Sequence, residues 1–460
     1  MLNQPKLSFL SSENTTSSKD FCIEELLAYN KEANIQFLRL QFLDIQGIPK
    51  NIVIPATRLE EALDEGIPFD GSSIAGYATI EESDKIAKPD PTTYTVLPAE
   101  LTPHPTAKLN CDIYEPNGKR FAGDTKYVLE KIMKQAAEQG FLYNTGPECE
   151  FFLFKKNGDN STLIPNDTGG YFDLSHRDLA EGVRAEISLT LQQLGITTHT
   201  AHHEVSDGQH EINFCYADAL TTADRITTLK YVTKTIANHH NLHASFMPKP
   251  LQDKAGCGMH THQSLFSKHN DNVFADESKG TLSSTALSYI AGTLHYIKEI
   301  TAVLNPCVNS YKRLVPGYEA PTYISWAHKN RSALIRIPAG RNTNSKRMEL
   351  RSPDLSGNPY LQFALMLAAG LEGIKHNMQQ PEPVEKNIYE LSETQRKKHG
   401  IEHLPGSLRH ALTLMEESNF VKKVLGEHIY ENFLHVKKQE WESYRTQVSP
   451  WEIQRYLHVI

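Results

Sequence analysis

The segment His202-His203-Glu204-Val205-Ser206-Asp207-Gly208-Gln209-His210-Glu211 restricts the possible folds more than any other stretch of the chain. Asp-Gly between two strand-like arms is a strong hairpin signal. Folding about Asp207-Gly208 as a two-residue loop pairs Ser206 with Gln209, Val205 with His210 and Glu204 with Glu211. Two carboxylates then face each other at about 5 Å between Cβ atoms, an arrangement that destabilises a bare sheet. A sheet that keeps this pair needs positive charge between its members. The plain alternative is a surface hairpin whose glutamates fluctuate in solvent.

Further groups follow the same period of two. Gly146-Pro147-Glu148-Cys149-Glu150 leads into Phe151–Phe154, so a strand here sets Glu148 and Glu150 on one face. Gly256-Cys257-Gly258-Met259-His260-Thr261-His262-Gln263-Ser264 places His260, His262 and Ser264 together, and Arg347, Glu349 and Arg351 alternate in the same way. Taken singly, each could be a solvated strand face. Together, five glutamates and a histidine form an oxygen-rich set that favours Mg²⁺ or Mn²⁺ over zinc. Arg313, Arg331, Arg336 and Arg351 can clamp phosphate or carboxylate through paired hydrogen bonds. Divalent metal plus arginine is the equipment of phosphoryl transfer. The chain has no G-x-x-x-x-G-K-[ST], G-x-G-x-x-G, H-E-x-x-H or G-x-S-x-G, so any phosphate is handled without a P-loop.

The organisation along the chain is that of a soluble protein of two domains behind a flexible tail at 1–20. Ile35–Leu43 alternates with Leu38, Leu40 and Phe42 on one side; a turn at Asp44–Gly47 and a second arm at Asn51–Ile54 complete a hairpin. Glu115-Pro116-Asn117-Gly118 is turn chemistry and marks the boundary between residues 21–120 and 121–460. Helical patterns cover 127–139, 177–194 and 220–239, and the chain ends helically from Ser407. In Ser449-Pro450-Trp451-Glu452, proline opens the last helix and glutamate closes a capping box. Of 460 residues 39% are apolar and 22% charged, and the net charge of −8 argues against nucleic acid or an anionic membrane as partner. The apolar run Phe363–Leu371 is too short to span a bilayer. A polar Ser/Thr run at 11–18 stands where a signal peptide needs an apolar core, which points to the cytoplasm. The six cysteines contain no C-x-x-C, which excludes a zinc knuckle and makes a disulfide framework unexpected.

The run Asn309-Ser-Tyr-Lys-Arg313-Leu-Val-Pro-Gly-Tyr-Glu319-Ala-Pro321 resembles the signature of bacterial-type (type I) glutamine synthetase. Phe69–Ser73, Gly146–Phe154, Gly258–His260, Asn330–Ser332 and Asn358–Tyr360 resemble it too, in the family's order over residues 20–460. The short stretch between Phe154 and Gly169 is similar to the branch without a catalytic-domain insertion. The resemblance implies an α+β chain with an N-terminal β-grasp-like domain. A catalytic domain follows, with a curved antiparallel sheet and a helical C-terminus. It implies an ATP-dependent ligase that makes L-glutamine from L-glutamate and ammonia through a γ-glutamyl phosphate. At least two Mg²⁺ (or Mn²⁺) ions serve each active site, and two hexameric rings stack into a dodecamer whose sites are shared between subunits. By the same resemblance Glu150, Glu204 and Glu211 hold one metal, and Glu148, His260 and Glu349 the other. His262, Ser264, Arg331 and Arg336 contact the nucleotide; Gly256, Arg313, Glu319 and Arg351 contact glutamate. Asp44 of a neighbouring subunit and Glu319 bind ammonium and take its proton, with Arg331 also counted among the catalytic residues. A γ-glutamyl ligase using a polyamine or other amine, and a non-catalytic regulatory paralogue, are the alternatives. Ala255, where relatives usually have asparagine, supports the first; the complete set of metal ligands opposes the second.

Overall fold

The computed structural model describes residues 22–276, 278, 280–317, 320–340 and 342–460. The flexible tail expected at 1–20 lies outside the described residues, as does Glu319.

After α1 (Ile23–Glu32), the alternating pattern from Ile35 becomes β1 (Phe37–Leu43), which pairs antiparallel with β2 (Pro49–Pro55). Leu38 and Leu40 are fully buried, as the alternation requires. α2 (Leu59–Asp64), β3 (Ile67–Asp70), β4 (Asp84–Pro89), β5 (Thr95–Val96) and β6 (Thr106–Tyr114) complete the unit. The sheet order is β2-β1-β6-β4-β3, with β6 parallel to β1 and antiparallel to β4. Leu26 of α1 and Leu59, Ala62 and Leu63 of α2 close its apolar core.

The second sheet is built around β7 (Leu142–Asn157), 16 residues long and the longest strand among the described residues. Such a strand outruns any one partner, so several share it. β13 (Met259–Phe266) and β12 (Leu242–Ser245) pair with it, as do β11 (Ala217–Asp218), β10 (Gln209–Phe214) and β8 (Asn160–Pro165). β9 (Thr198–His203) extends the sheet beyond β10, and the short strands Met348–Leu350, Ile335–Arg336 and Trp326–Ala327 extend it beyond β13. All pairings are antiparallel except the last, between Trp326–Ala327 and Ile335–Arg336. The chain is therefore α+β, with a β-grasp unit followed by a helix-backed, largely antiparallel sheet.

The helices sit behind this sheet. α3 (Thr125–Glu138), α4 (Glu181–Gln193), α5 (Ala219–His239), α6 (Ser284–Leu304) and α8 (Pro359–Lys375) share one core with the inward side chains of β7 and β13. The four-residue helix α7 (Ser310–Arg313) supplies Arg313. α8 is buried along most of its length, which explains the long apolar run in the sequence. No helix among the described residues is long and apolar enough to cross a membrane.

The two units meet where the β1–β2 turn touches the start of α8. Gly47 has φ +78°, and a Cβ there would come within 2.7 Å of the Asn358 backbone, so the turn requires glycine twice over. Asn358 caps α8 and donates from Nδ2 to the Asp44 carbonyl (2.8 Å) and to Thr125 Oγ1 (3.1 Å).

Candidate active site

Glu148 and Glu150 share one face of β7, and the strands on both sides add to that face. Glu148 lies opposite His260 of β13 and opposite Asn213 of β10, while Glu150 lies opposite Glu211. His262 lies opposite Glu349 in the neighbouring short strand. A cavity of about 490 Å³ opens over this face, lined by Glu148, Glu150, Glu204, Glu211 and His260. Its remaining walls include Gly256, Arg313, Arg331, Arg336 and Arg351, so carboxylates meet guanidiniums across one space.

The hairpin carrying Glu204 and Glu211 forms, but in a different register from the one its Asp-Gly suggests. His203 pairs with His210 and His202 with Glu211, and Glu204 N–H donates to the Gln209 carbonyl (2.7 Å). The loop is thus the four residues 205–208 rather than two. The reason is tertiary: Gly208, at φ +65°, donates its N–H to Asp167 (3.0 Å), a residue some forty positions upstream. A two-residue shift keeps every side chain on its face, whereas a one-residue shift would turn them over. Glu204 and Glu211 therefore stay on the cavity side, diagonal rather than opposed.

Two groups of candidate metal ligands result. Glu148, His260 and Glu349 bring ligand atoms within 4.8 Å of one another; so do His202, Glu204 and Glu211. The first matches a set expected from the sequence. In the second His202 stands with Glu204 and Glu211, while Glu150 sits between the groups, its Oε1 3.9 Å from His260 Nε2. The donors suit a hard divalent cation. Glu349 is fully buried and held between two guanidiniums, its Oε2 2.5 Å from Arg336 Nε and its Oε1 2.6 Å from Arg351 Nη1.

The comparisons with known proteins decide the family. The glutamine synthetase catalytic-domain model matches residues 122–456 and the glutamine synthetase beta-Grasp model residues 34–116. The chain belongs to the glutamine synthetase family. Glutamine synthetase of Methanosarcina mazei is 50% identical over 439 residues, covering 95% of this chain and 98% of that protein. That of Clostridium saccharobutylicum is 49% identical over 438 residues, with the same coverage. Among solved structures, a GmaS/ADP complex matches with TM-score 0.85 and 32% identity, over 94% of this chain and 99% of that one. Plasmodium falciparum glutamine synthetase matches with TM-score 0.85 and 26% identity, over 96% and 100%. The chain is accordingly a glutamate–ammonia ligase that uses ATP and divalent metal; a polyamine ligase or a silent paralogue is not favoured.

The charges of the cavity are balanced residue by residue. Burial alone would raise the Glu148 carboxyl, yet hydrogen bonds to His260 Nδ1 (3.0 Å) and His262 Nε2 (2.8 Å) hold it well below the usual range. Burial raises Glu150, and nearby Glu211 adds to this; its Oε2 accepts from Gly258 N–H (2.9 Å). Burial also opposes ionisation of Glu349, but Arg351, 2.6 Å away, outweighs it and lowers the carboxyl. Arg313 is buried with its guanidinium donating to the carbonyls of Ser352 (2.7 Å) and Arg351 (3.0 Å).

His262, Ser264 and Asp44, also expected at the site, do not line the cavity itself. His262 and Ser264 follow His260 on the same face of β13, His262 bonded to Glu148 and to Arg347 (3.1 Å). Asp44 does not reach the cavity of its own chain. Its Oδ1 accepts from Gln46 and Ile48 N–H (both 2.9 Å), and Oδ2 pairs with Lys50 (2.9 Å).

His202, Gln209, Tyr171 and Phe172 are among the further residues that line the site. His202 is bonded to Glu211 (3.2 Å), which raises its imidazole above the ordinary value against the opposing effect of burial. Gln209 donates to Glu150 (3.2 Å) and to the Gly256 carbonyl (3.1 Å). Both lie two positions from a glutamate on the same strand face, so the period of two could have revealed them. Tyr171 and Phe172, the latter at φ +58°, come from a loop that carries no such signal.

Proposed function

We propose that this ligase works in two steps at the cavity, transferring phosphate from ATP to the γ-carboxylate of glutamate and then displacing it with ammonia. A carboxylate resists attack because its leaving group would be oxide, whereas an acyl phosphate offers a good one. The observation that carries this reading is the facing of two carboxylate-rich donor groups and four arginines across a single 490 Å³ cavity.

Glu148, His260 and Glu349 would hold one Mg²⁺ or Mn²⁺, and Glu204 and Glu211, with Glu150 or His202, another. When bound, these ions neutralise charge on the transferring phosphate. The chain's own residues do the remainder. Arg331 and Arg336, with His262 and Ser264, orient the nucleotide. Arg351 binds the substrate carboxylate, and Arg313 and Gly256 shape that end of the pocket. Asp44 of a neighbouring subunit and Glu319 attract ammonium, and Glu319 takes its proton, since the cation is not a nucleophile. This division of labour calls for a ring assembly, two stacked hexamers making a dodecamer, in the cytoplasm.

The test is glutamate- and ATP-dependent phosphate release with ammonium, a polyamine or no acceptor. Release with glutamine formation on ammonium alone supports the reading. Equal turnover with a polyamine, or none with ammonium, overturns it.

A further inference from the structure

A third group of ligand-type side chains, Asp167, His203 and His210, is fully buried on the opposite side of the hairpin from the cavity. It is not an ion site, because each ring nitrogen already has a partner. His210 Nδ1 meets the Arg184 guanidinium (3.0 Å) and its Nε2 faces Asn166 Oδ1 (3.4 Å). A nitrogen that accepts from a guanidinium has no lone pair left for a metal.

His203 differs from its neighbour. Its Nε2 lies 2.9 Å from Asp167 Oδ1 and its Nδ1 2.6 Å from the carbonyl of Glu204. Both partners are oxygens that can only accept, so the ring donates through both nitrogens, with Asp167 as its counter-ion. Asp167 Oδ1 also accepts from Gly208 N–H (3.0 Å), and Oδ2 accepts from Asn166 Nδ2 (2.9 Å) and Leu179 N–H (3.2 Å). The ring packs against Gly169, where a Cβ would come within 2.6 Å of it, so that position has no space for a side chain. One carboxylate thus ties down the 205–208 loop at both ends, through Gly208 directly and through His203 at the Glu204 carbonyl.

We propose that His203 is a positioning residue: by bonding the Glu204 carbonyl from behind the sheet, it fixes the Glu204 side chain relative to Glu211 for the divalent ion. This rests on the reading of Glu204 and Glu211 as metal ligands. A four-residue loop determines strand register less firmly than a two-residue one. Outer partners of this kind typically account for about 10–100-fold in metal affinity.

Two substitutions separate positioning from packing. In His203→Asn the amide nitrogen replaces Nδ1 and can still donate to the Glu204 carbonyl, while the bond to Asp167 is lost. In His203→Gln the amide replaces Nε2, fills more of the buried space and keeps Asp167, but releases the carbonyl. Mn²⁺ binding to the full-length protein is measured from the free-ion electron paramagnetic resonance signal, with circular dichroism on the same samples and Glu211→Gln as control. His203→Gln should weaken Mn²⁺ binding about 10–100-fold, and His203→Asn should stay close to the unmodified protein. If His203→Gln binds normally, or Asn is as weak as Gln, or neither variant folds, His203 serves packing or folding and the proposal falls. If Glu211→Gln itself binds Mn²⁺ normally, the metal-ligand reading fails, and that outcome is distinct from the others.

Discussion

Glu211→Gln should weaken metal binding at the Glu204–Glu211 site while leaving the metal-free protein almost as stable as before. Glu211 and Glu150 are opposite neighbours on β10 and β7, with Cβ atoms about 5 Å apart. At an effective dielectric of about 20, two unit charges at that distance repel by about 3 kcal/mol. Glutamine removes this repulsion. It also weakens the hydrogen bonds that Glu211 accepts from Asn213 (2.6 Å) and His202 (3.2 Å), each worth about 1.5 kcal/mol more or less with the charge present. The two effects nearly cancel, so metal-free stability should change by no more than about 1 kcal/mol. The metal-linked term behaves otherwise. At a Mn²⁺ concentration a hundred times Kd, binding adds about 2.7 kcal/mol to unfolding; a hundredfold loss of affinity leaves only about 0.4 kcal/mol. Urea denaturation with and without Mn²⁺ reads both quantities. A variant destabilised by about 3 kcal/mol without metal, yet still gaining the full metal-dependent increment, would mean that Glu211 is a structural partner of His202 and Asn213 and not a ligand.

Asp44→Asn and Arg336→Lys should each be nearly inactive, and co-expression should restore activity, because intact halves then meet at some subunit boundaries; mixed assemblies no more active than either variant would end the shared-site reading. Glu319→Ala should still phosphorylate glutamate but amidate it about 10²–10⁴-fold more slowly, so phosphate released per glutamine formed should rise; an unchanged ratio at undiminished rate refutes its role as base. Burial, reinforced by Lys234, pushes the Lys230 ammonium down to about 8 while its Nζ donates to the Leu355 carbonyl (2.8 Å). Below pH 8 both states hold the proton; between about 8 and 10.4 only the unfolded chain does, so this group makes stability rise with pH by up to about 1.4 kcal/mol per unit. The stability of the unmodified protein minus that of Lys230→Met, from urea curves at pH 7 to 10, should be flat at first and then climb; no climb disproves the burial argument.

Much of the local structure was legible in the residues. Ser449-Pro450-Trp451-Glu452 opens the last helix with both halves of a capping box and proline in the first turn, because a cap is satisfied within four residues and needs nothing from elsewhere. Helices expected at 127–139 and 220–239 lie at Thr125–Glu138 and Ala219–His239, and Leu38, Leu40 and Phe42 face inward as their alternation implied. Period-two spacing correctly grouped Glu148 with Glu150, and His260 with His262 and Ser264, since strand geometry assigns faces without reference to a partner.

What the residues alone could not decide is which strands lie side by side. Nothing in the neighbourhood of Glu150 says that it will oppose Glu211, nor does the sequence around Glu148 announce His260; β7 recruits each from more than fifty positions away. The Asp207-Gly208 loop is the clearest case. Its sequence favours a two-residue turn, but Asp167 takes the Gly208 N–H and His203 takes the Glu204 carbonyl, so the loop opens to four. Local propensity among turns differs by little, whereas a buried, charge-assisted hydrogen bond is among the stronger single contacts. The chemistry of each candidate ligand was written in the chain; the distances between them were chosen by side chains remote in sequence.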